Sequence, residues 1–206
     1  ASESSLAPVG LPDIAGSIVR IRVTAADGTP VPVQVRDGEL WPLQTLAQGQ
    51  RLTVEVSALR PRWAGWLVGR IVRRAFTVTT PSAGVRIRFL RLRTGSQVTI
   101  PLDAPAAVLS VDGTVRRLGT PAVNAPAGIS ARGRRSAGSV EVQVAPRVWE
   151  ALSTPVRVSW FPRVKRPELV VTPRPGTTVR PDQALTLAFS APVAGTVVEE
   201  KTRLLP

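Results

Sequence analysis

Along much of the chain apolar and polar residues alternate with a period of two, the spacing of a strand with one buried and one wet face. In SIVRIRV (17–23) this sets Ile18, Arg20 and Arg22 on one face and Val19, Ile21 and Val23 on the other. VPVQV (31–35), RLTVEV (51–56), AFTVTT (75–80), VRIRFLRLR (85–93), QVTIPL (97–102), VEVQV (140–144) and PVRVSWF (155–161) repeat the scheme. Between them stand Asp27-Gly28, Asp37-Gly38, Asp112-Gly113 and Gly133, residues suited to tight reversals. Twenty prolines and sixteen glycines, dispersed along the chain, reinforce short strands with many turns. The fold class this predicts is all-β, built as sandwiches. One segment departs from it: APRVWEAL (145–152) predicts a single helical turn after Pro146, with Val148, Trp149 and Leu152 on one face and Trp149 in a core.

A weak internal repeat supplies the domain organisation. QVTIPLDAPAAVLSV (97–111) superimposes without gaps on ALTLAFSAPVAGTVV (184–198) at an offset of 87 residues. Thr99 falls on Thr186, Ala104-Pro105 on Ala191-Pro192 and Ala107 on Ala194, while Val98, Ile100 and Leu102 fall on Leu185, Leu187 and Phe189. VTTPSAG (78–84) and VVTPRPG (170–176) form a second, slightly shifted pair. A period near 90 residues fits one small sandwich per repeat. The expected division is a tail (1–13), a first domain (14–82), a second (83–166), and a last segment (167–206) that is the first half of a third domain or a C-terminal extension. Half a sandwich leaves an open core and an unpaired edge. The expectation is therefore that the last domain is incomplete.

Residues 170–193, VVTPRPGTTVRPDQALTLAFSAPV, resemble the opening of a bacterial immunoglobulin-like domain, with a proline-rich entry and a strand ending Phe-Ser-x-Pro-Val. Residues 43–82, with PLQTLAQGQRLTVEVSAL and then RRAFTVTTPSA, resemble the closing half of the same type. Such modules are similar to those strung along secreted cell-envelope proteins, including the non-catalytic region ahead of the catalytic domain in actinobacterial L,D-transpeptidases. The resemblance implies tandem immunoglobulin-like sandwiches, an extracellular or cell-envelope location through secretion or a lipid anchor, and neighbouring domains of the same polypeptide as partners. The transpeptidase chemistry needs a nucleophilic Cys and a His, and this chain has neither.

Composition changes the picture mainly by exclusion. With no Cys, His, Met or Tyr, the chain lacks the usual thiolate, imidazole base and zinc or iron ligands, leaving 14 carboxylates, Lys165, Lys201 and hydroxyls. Glu199-Glu200, Asp103 and Asp112 form no convincing acid–base pair. The expectation is a non-enzyme with no cofactor and no metal. The net charge of +13 comes almost wholly from arginine, 25 of the 27 basic residues, and it attracts polyanions unless it reflects only genomic arginine usage. No apolar run approaches the ~18 residues that would cross a bilayer. ASESSLAPVG has the small, polar look of a mature N-terminus without a signal peptide.

Against that background RPRWAGWLVGRIVRR (60–74) stands out, an apolar run with two tryptophans framed by arginines. Between RLTVEVSAL and RRAFTVTT it reads as the hairpin connection and the start of its return strand. Arginine and tryptophan together suit a gripping surface. Arg60, Arg62, Trp63, Trp66, Arg70, Arg73 and Arg74 are therefore the candidate binding patch, for peptidoglycan or another anionic envelope polymer. The alternatives are Trp63 and Trp66 folded over the open end of their own sandwich, or packed on a neighbouring domain. Arg132, Arg134 and Arg135 in ISARGRRSAGS (129–139) make a secondary basic loop, with a solvated connection as its alternative. Arg86, Arg88, Arg91 and Arg93 line strand faces near the first boundary, and Trp160-Phe161 are expected to pack the second. Aromatic interleaving is too sparse, and a groove-reading helix too absent, to favour nucleic acid. The first functional expectation is a non-catalytic spacer region that positions another domain. The second is an anionic wall-polymer or glycan binding module using the 60–74 hairpin.

Overall fold

The alternating segments pair mostly with their neighbours in the chain. The computed structural model describes residues 4–9, 17–59, 71–93, 95–131, 137–163, 168–174, 176–191, 193 and 198. The thirteen elements among the described residues are all β-strands. They form separate sheets joined almost entirely by antiparallel pairing.

The first hydrophobic core lies between two three-stranded sheets. One has the order β1-β4-β3, from β1 (Ala7–Pro8), β3 (Val33–Arg36) and β4 (Glu39–Pro42). The other has the order β2-β5-β6, from β2 (Ser17–Ala25), β5 (Arg51–Leu59) and β6 (Ile71–Thr79). Val23, Val31, Leu40, Leu46, Leu52, Val54 and Val56 fill the space between them. The β3–β4 hairpin closes through Asp37 and Gly38, at φ of 49° and 75°, the two successive positive values that a two-residue turn matched to strand twist requires.

Ile18 departs from the simple alternation. The β2–β5 pairing slips by a residue between Ile18 and Arg20, so Ile18 sits opposite Ala58, and Val56 and Val54 receive Ile21 and Val23. A bulge reverses the facing of everything beyond it. Ile18 consequently packs on the core with Ile21, and the expectation that it shares a face with Arg20 and Arg22 is corrected.

The second core belongs to a five-stranded sheet of order β7-β11-β10-β8-β9. Its strands are β7 (Phe89–Leu92), β8 (Gln97–Val111), β9 (Thr114–Ser130), β10 (Gly138–Ala145) and β11 (Val156–Pro162). In β8 the core positions are Val98, Ile100, Leu102 and Ala106, then Leu109 and Val111. Their parity changes where the β8–β9 register shifts, between Ala106 and Val108. That irregularity lets a single long strand contribute to the core from both of its halves, the device by which strands turn sandwich corners. Residues 84–86 run beside the first half of β8, with the Arg86 amide donating to Pro101 O at 2.9 Å and the Asp103 amide to Gly84 O at 3.1 Å. A few residues later β7 pairs in parallel with β11. The VRIRFLRLR segment is thus divided between two partners and is not one strand.

A two-stranded sheet follows, β12 (Leu169–Thr172) with β13 (Thr186–Phe189). Ser139 and Thr172 share a hydroxyl hydrogen bond of 2.9 Å, and Arg91 Nη2 donates to Ser190 O at 2.6 Å, so this hairpin is tied to β10 and β7. Ser159, the cross-strand partner of Ser139, and Phe161 are both buried on the same outer face of β10–β11. Trp160 points the other way into the second core, which corrects its expected place at the boundary. The repeat-related positions differ in burial. Val98, Ile100 and Leu102 are at most 2 % exposed, whereas Leu185 is 38 % exposed.

Candidate functional site

Among the described residues, polar and charged side chains gather at the connection between the two cores and on the outer face of the β2-β5-β6 sheet.

The connection is made by residues 145–154 of the second unit lying against residues 46–50 of the first. Pro146 begins a turn rather than a helix: the Glu150 amide donates to Arg147 O at 3.1 Å, and the next amide, Ala151, leaves the segment for Leu46 O at 2.8 Å. The Leu46 amide donates to Trp149 O at 3.2 Å, and Leu46 with Glu150 forms an isolated parallel bridge. The expected helical turn is therefore corrected, because the backbone groups that would extend it are taken by the first unit. Trp149 packs onto the first core rather than its own, and its indole Nε1 donates to Ser4 O at 3.1 Å.

Gln48 ties the parts together. Its Nε2 donates to Val144 O at 2.7 Å and Ala151 O at 2.8 Å, while its Oε1 accepts from the Ala83 amide at 2.9 Å. Two carbonyls on one side and an amide on the other admit only this orientation of the side chain. Thr80, 1 % exposed, holds the same loop in shape, donating to Ala47 O and accepting from the Gln50 amide, each at 2.8 Å.

Within this joint Glu150 is 5 % exposed, and neither carboxylate oxygen has a hydrogen-bond partner. Burial pushes its carboxyl from the ordinary glutamate value up to about 7, against the opposing pull of Arg147. The Arg147 guanidinium lies 5.0 Å from the centre of the Trp149 ring, and burial lowers its pKa while Glu150 acts the other way.

On the outer sheet face, strand register aligns the side chains in rows. Arg22, Glu55 and Ala75 form one row, and Arg20, Ser57 and Arg73 the next. Arg20, Arg22, Glu55, Val56, Ser57, Ile71, Arg73, Arg74 and Ala75 line an open groove of about 550 Å³. Among the described residues the guanidiniums of Arg20, Arg22, Arg73 and Arg74 have no hydrogen-bond or ion-pair partner.

Of the expected patch, Arg73 and Arg74 are both among the residues lining this groove, Arg73 on the outer face and Arg74, opposite Val56, on the other face of its strand, while Arg60, Arg62, Trp63, Trp66 and Arg70 lie outside the described residues. Arg132, Arg134 and Arg135 also lie outside them, as do Glu199 and Glu200. Asp103 and Asp112 serve the backbone: Asp103 accepts from the Gly84 amide at 2.6 Å and Asp112 from the Glu141 amide at 2.8 Å. Sequence reasoning missed Gln48, Thr80 and Glu150. Gln48 and Thr80 sit in ordinary polar turns, and the only signal for Glu150 was a lone acid beside Trp149, three residues after Arg147. No helix among the described residues is long and apolar enough to cross a membrane. No protein-family model matches the chain, and no curated protein matches it significantly.

Proposed function

We propose that this chain is a non-catalytic spacer, a run of tandem immunoglobulin-like β-modules in a secreted or surface-attached cell-envelope protein, which holds a further domain at a set distance and orientation. The observation that carries the reading is the joint between the two cores. Domains linked by a small polar interface are expected to move relative to one another. Here three features oppose that motion: a side chain bonded to three backbone groups across the joint, a bridge between Leu46 and Glu150, and a tryptophan lent by one unit to the core of the other. A semi-rigid rod is what a positioning region needs. The scarcity of nucleophile and base chemistry in the sequence, and the likeness of residues 43–82 and 170–193 to envelope immunoglobulin-like modules, support the same role.

The chain has no cysteine, so two introduced ones are unambiguous labels. Spin labels at Ala26→Cys and Thr114→Cys, both exposed and one in each unit, should give a single narrow distance distribution by pulsed dipolar spectroscopy. A broad distribution in the otherwise wild-type chain would overturn the spacer reading.

A further inference from the structure

We infer that the outer face of the β2-β5-β6 sheet binds an acidic polysaccharide, a role beyond that of a spacer. The sheet's inner face is committed to the first core, and its outer face carries an ordered array. Along the strands the rows run from Thr24, Thr53 and Thr77, through Arg22, Glu55 and Ala75, then Arg20, Ser57 and Arg73, to Leu59 and Ile71. Successive rows are about 7 Å apart, and the outer strands β2 and β6 are about 10 Å apart. Arg20 and Arg73 therefore flank the Ser57 hydroxyl from both sides, with Arg22 one row away.

A merely solvated face intersperses charges of both signs. This face carries three guanidiniums, Arg20, Arg22 and Arg73, and one carboxylate, Glu55, while Arg74, opposite Val56, belongs to the other face; like charges set on neighbouring positions repel unless something answers them. The missing negative charge identifies the occupant. Guanidiniums recognise planar or tetrahedral oxyanions through paired N–H donors. The hydroxyls of Ser57, Thr53 and Thr77 match the donors and acceptors of sugar hydroxyls. The exposed Leu59 and Ile71 offer an apolar end for the carbon face of a ring. Nucleic acid fits less well: no aromatic side chain is among the described residues lining the groove, and Phe76, opposite Val54, belongs to the other face, whereas single-stranded nucleic acid is held largely by base stacking.

The test is binding of the full chain to immobilised polygalacturonate, a carboxylate polymer, and dextran sulfate, a sulfate ester polymer, with neutral dextran and an oligothymidylate for comparison. At ionic strength of about 0.15 M, where a diffuse surface field is largely screened, binding to at least one acidic polysaccharide should persist. The two acidic polymers tell which oxyanion is preferred. The double variant Arg20→Gln, Arg73→Gln should lose roughly tenfold or more in affinity, as expected for removing charge-assisted contacts. Arg117→Gln with Arg157→Gln removes the same charge from exposed positions of the second unit and should bind as wild type. Ser57→Asp keeps every arginine but puts a carboxylate between two of them, and should also abolish binding with an unchanged melting curve. Equal loss in both arginine pairs, equal binding to dextran, tighter binding to the oligonucleotide, or no binding to either acidic polymer would each overturn the proposal. A flexible joint with intact binding would remove the spacer reading and leave this one standing.

Discussion

The indole of Trp160 lies against Gly138, its cross-strand partner, so that a Cβ placed there would come within 2.5 Å of Cζ2 and 2.9 Å of Cη2. Gly138 needs no special backbone angle. Its missing side chain is the space that a 2 % exposed tryptophan occupies in the second core. Gly138→Ala should therefore destabilise by about 1–3 kcal/mol, the usual effect of overpacking. Combining it with Trp160→Leu should give less than the sum of the two single effects. Urea unfolding followed by circular dichroism measures both, and strict additivity would show that the two residues do not share that space.

Gln48→Leu keeps the approximate volume but leaves Val144 O, Ala151 O and the Ala83 amide without their partners. With about 1–3 kcal/mol for each buried group left unsatisfied and partial access of water to this half-buried site, a loss of about 2–4 kcal/mol is expected. The same substitution should broaden the distance distribution between labels at positions 26 and 114. A lower melting temperature with unchanged distances would make Gln48 a matter of stability alone.

Thr80→Val is nearly isosteric and isolates one hydroxyl. The Gln50 amide and Ala47 O lose partners at a site 1 % exposed, so a loss of about 1–3 kcal/mol is expected. Thr80→Ser, which keeps the hydroxyl, should recover most of it. Equal melting temperatures for the Val and Ser variants would contradict the assignment.

Glu150 gives the joint a pH dependence of definite sign. Its folded-state carboxyl is raised to about 7, so between the ordinary glutamate range and 7 the folded protein holds a proton that the unfolded chain has released. Stability from this group is complete below about pH 4.5, falls as pH rises, and is lost once the pH passes about 7. Glu150→Gln should flatten the slope of melting temperature against pH in that window and make the protein more stable at pH 8. A wild-type slope retained in the variant would assign the dependence to another group.

Much of the fold was legible because its alternation is strong. The buried residues of β5 are Leu52, Val54, Val56 and Ala58, the period-two set its sequence displays, and the Asp-Gly pairs at 37–38 and 112–113 both close hairpins. β9 was not legible. TVRRLGTPAVNAPAGIS holds two glycines and two prolines and no alternation, and it is a strand because β8 offers it a partner along nearly its whole length. Proline is tolerated there because β9 is an edge strand. The slip at Ile18 was equally hidden, since alternation on either side of a bulge looks the same. For the groove, Arg73 and Arg74 were foreseen, but Arg20 and Arg22 lie some fifty residues earlier in the chain and only strand pairing brings them alongside.

Trp149 binds the history of the two units together. A repeat that carries all of its own core can be duplicated, deleted or grafted into another protein without injury. Here the first unit completes its interior with a residue encoded seventy positions beyond its last strand, and anchors that residue to Ser4 near the chain's start. Moving either unit alone into a foreign chain would leave a socket without its plug, so the smallest portable piece of this protein is the pair.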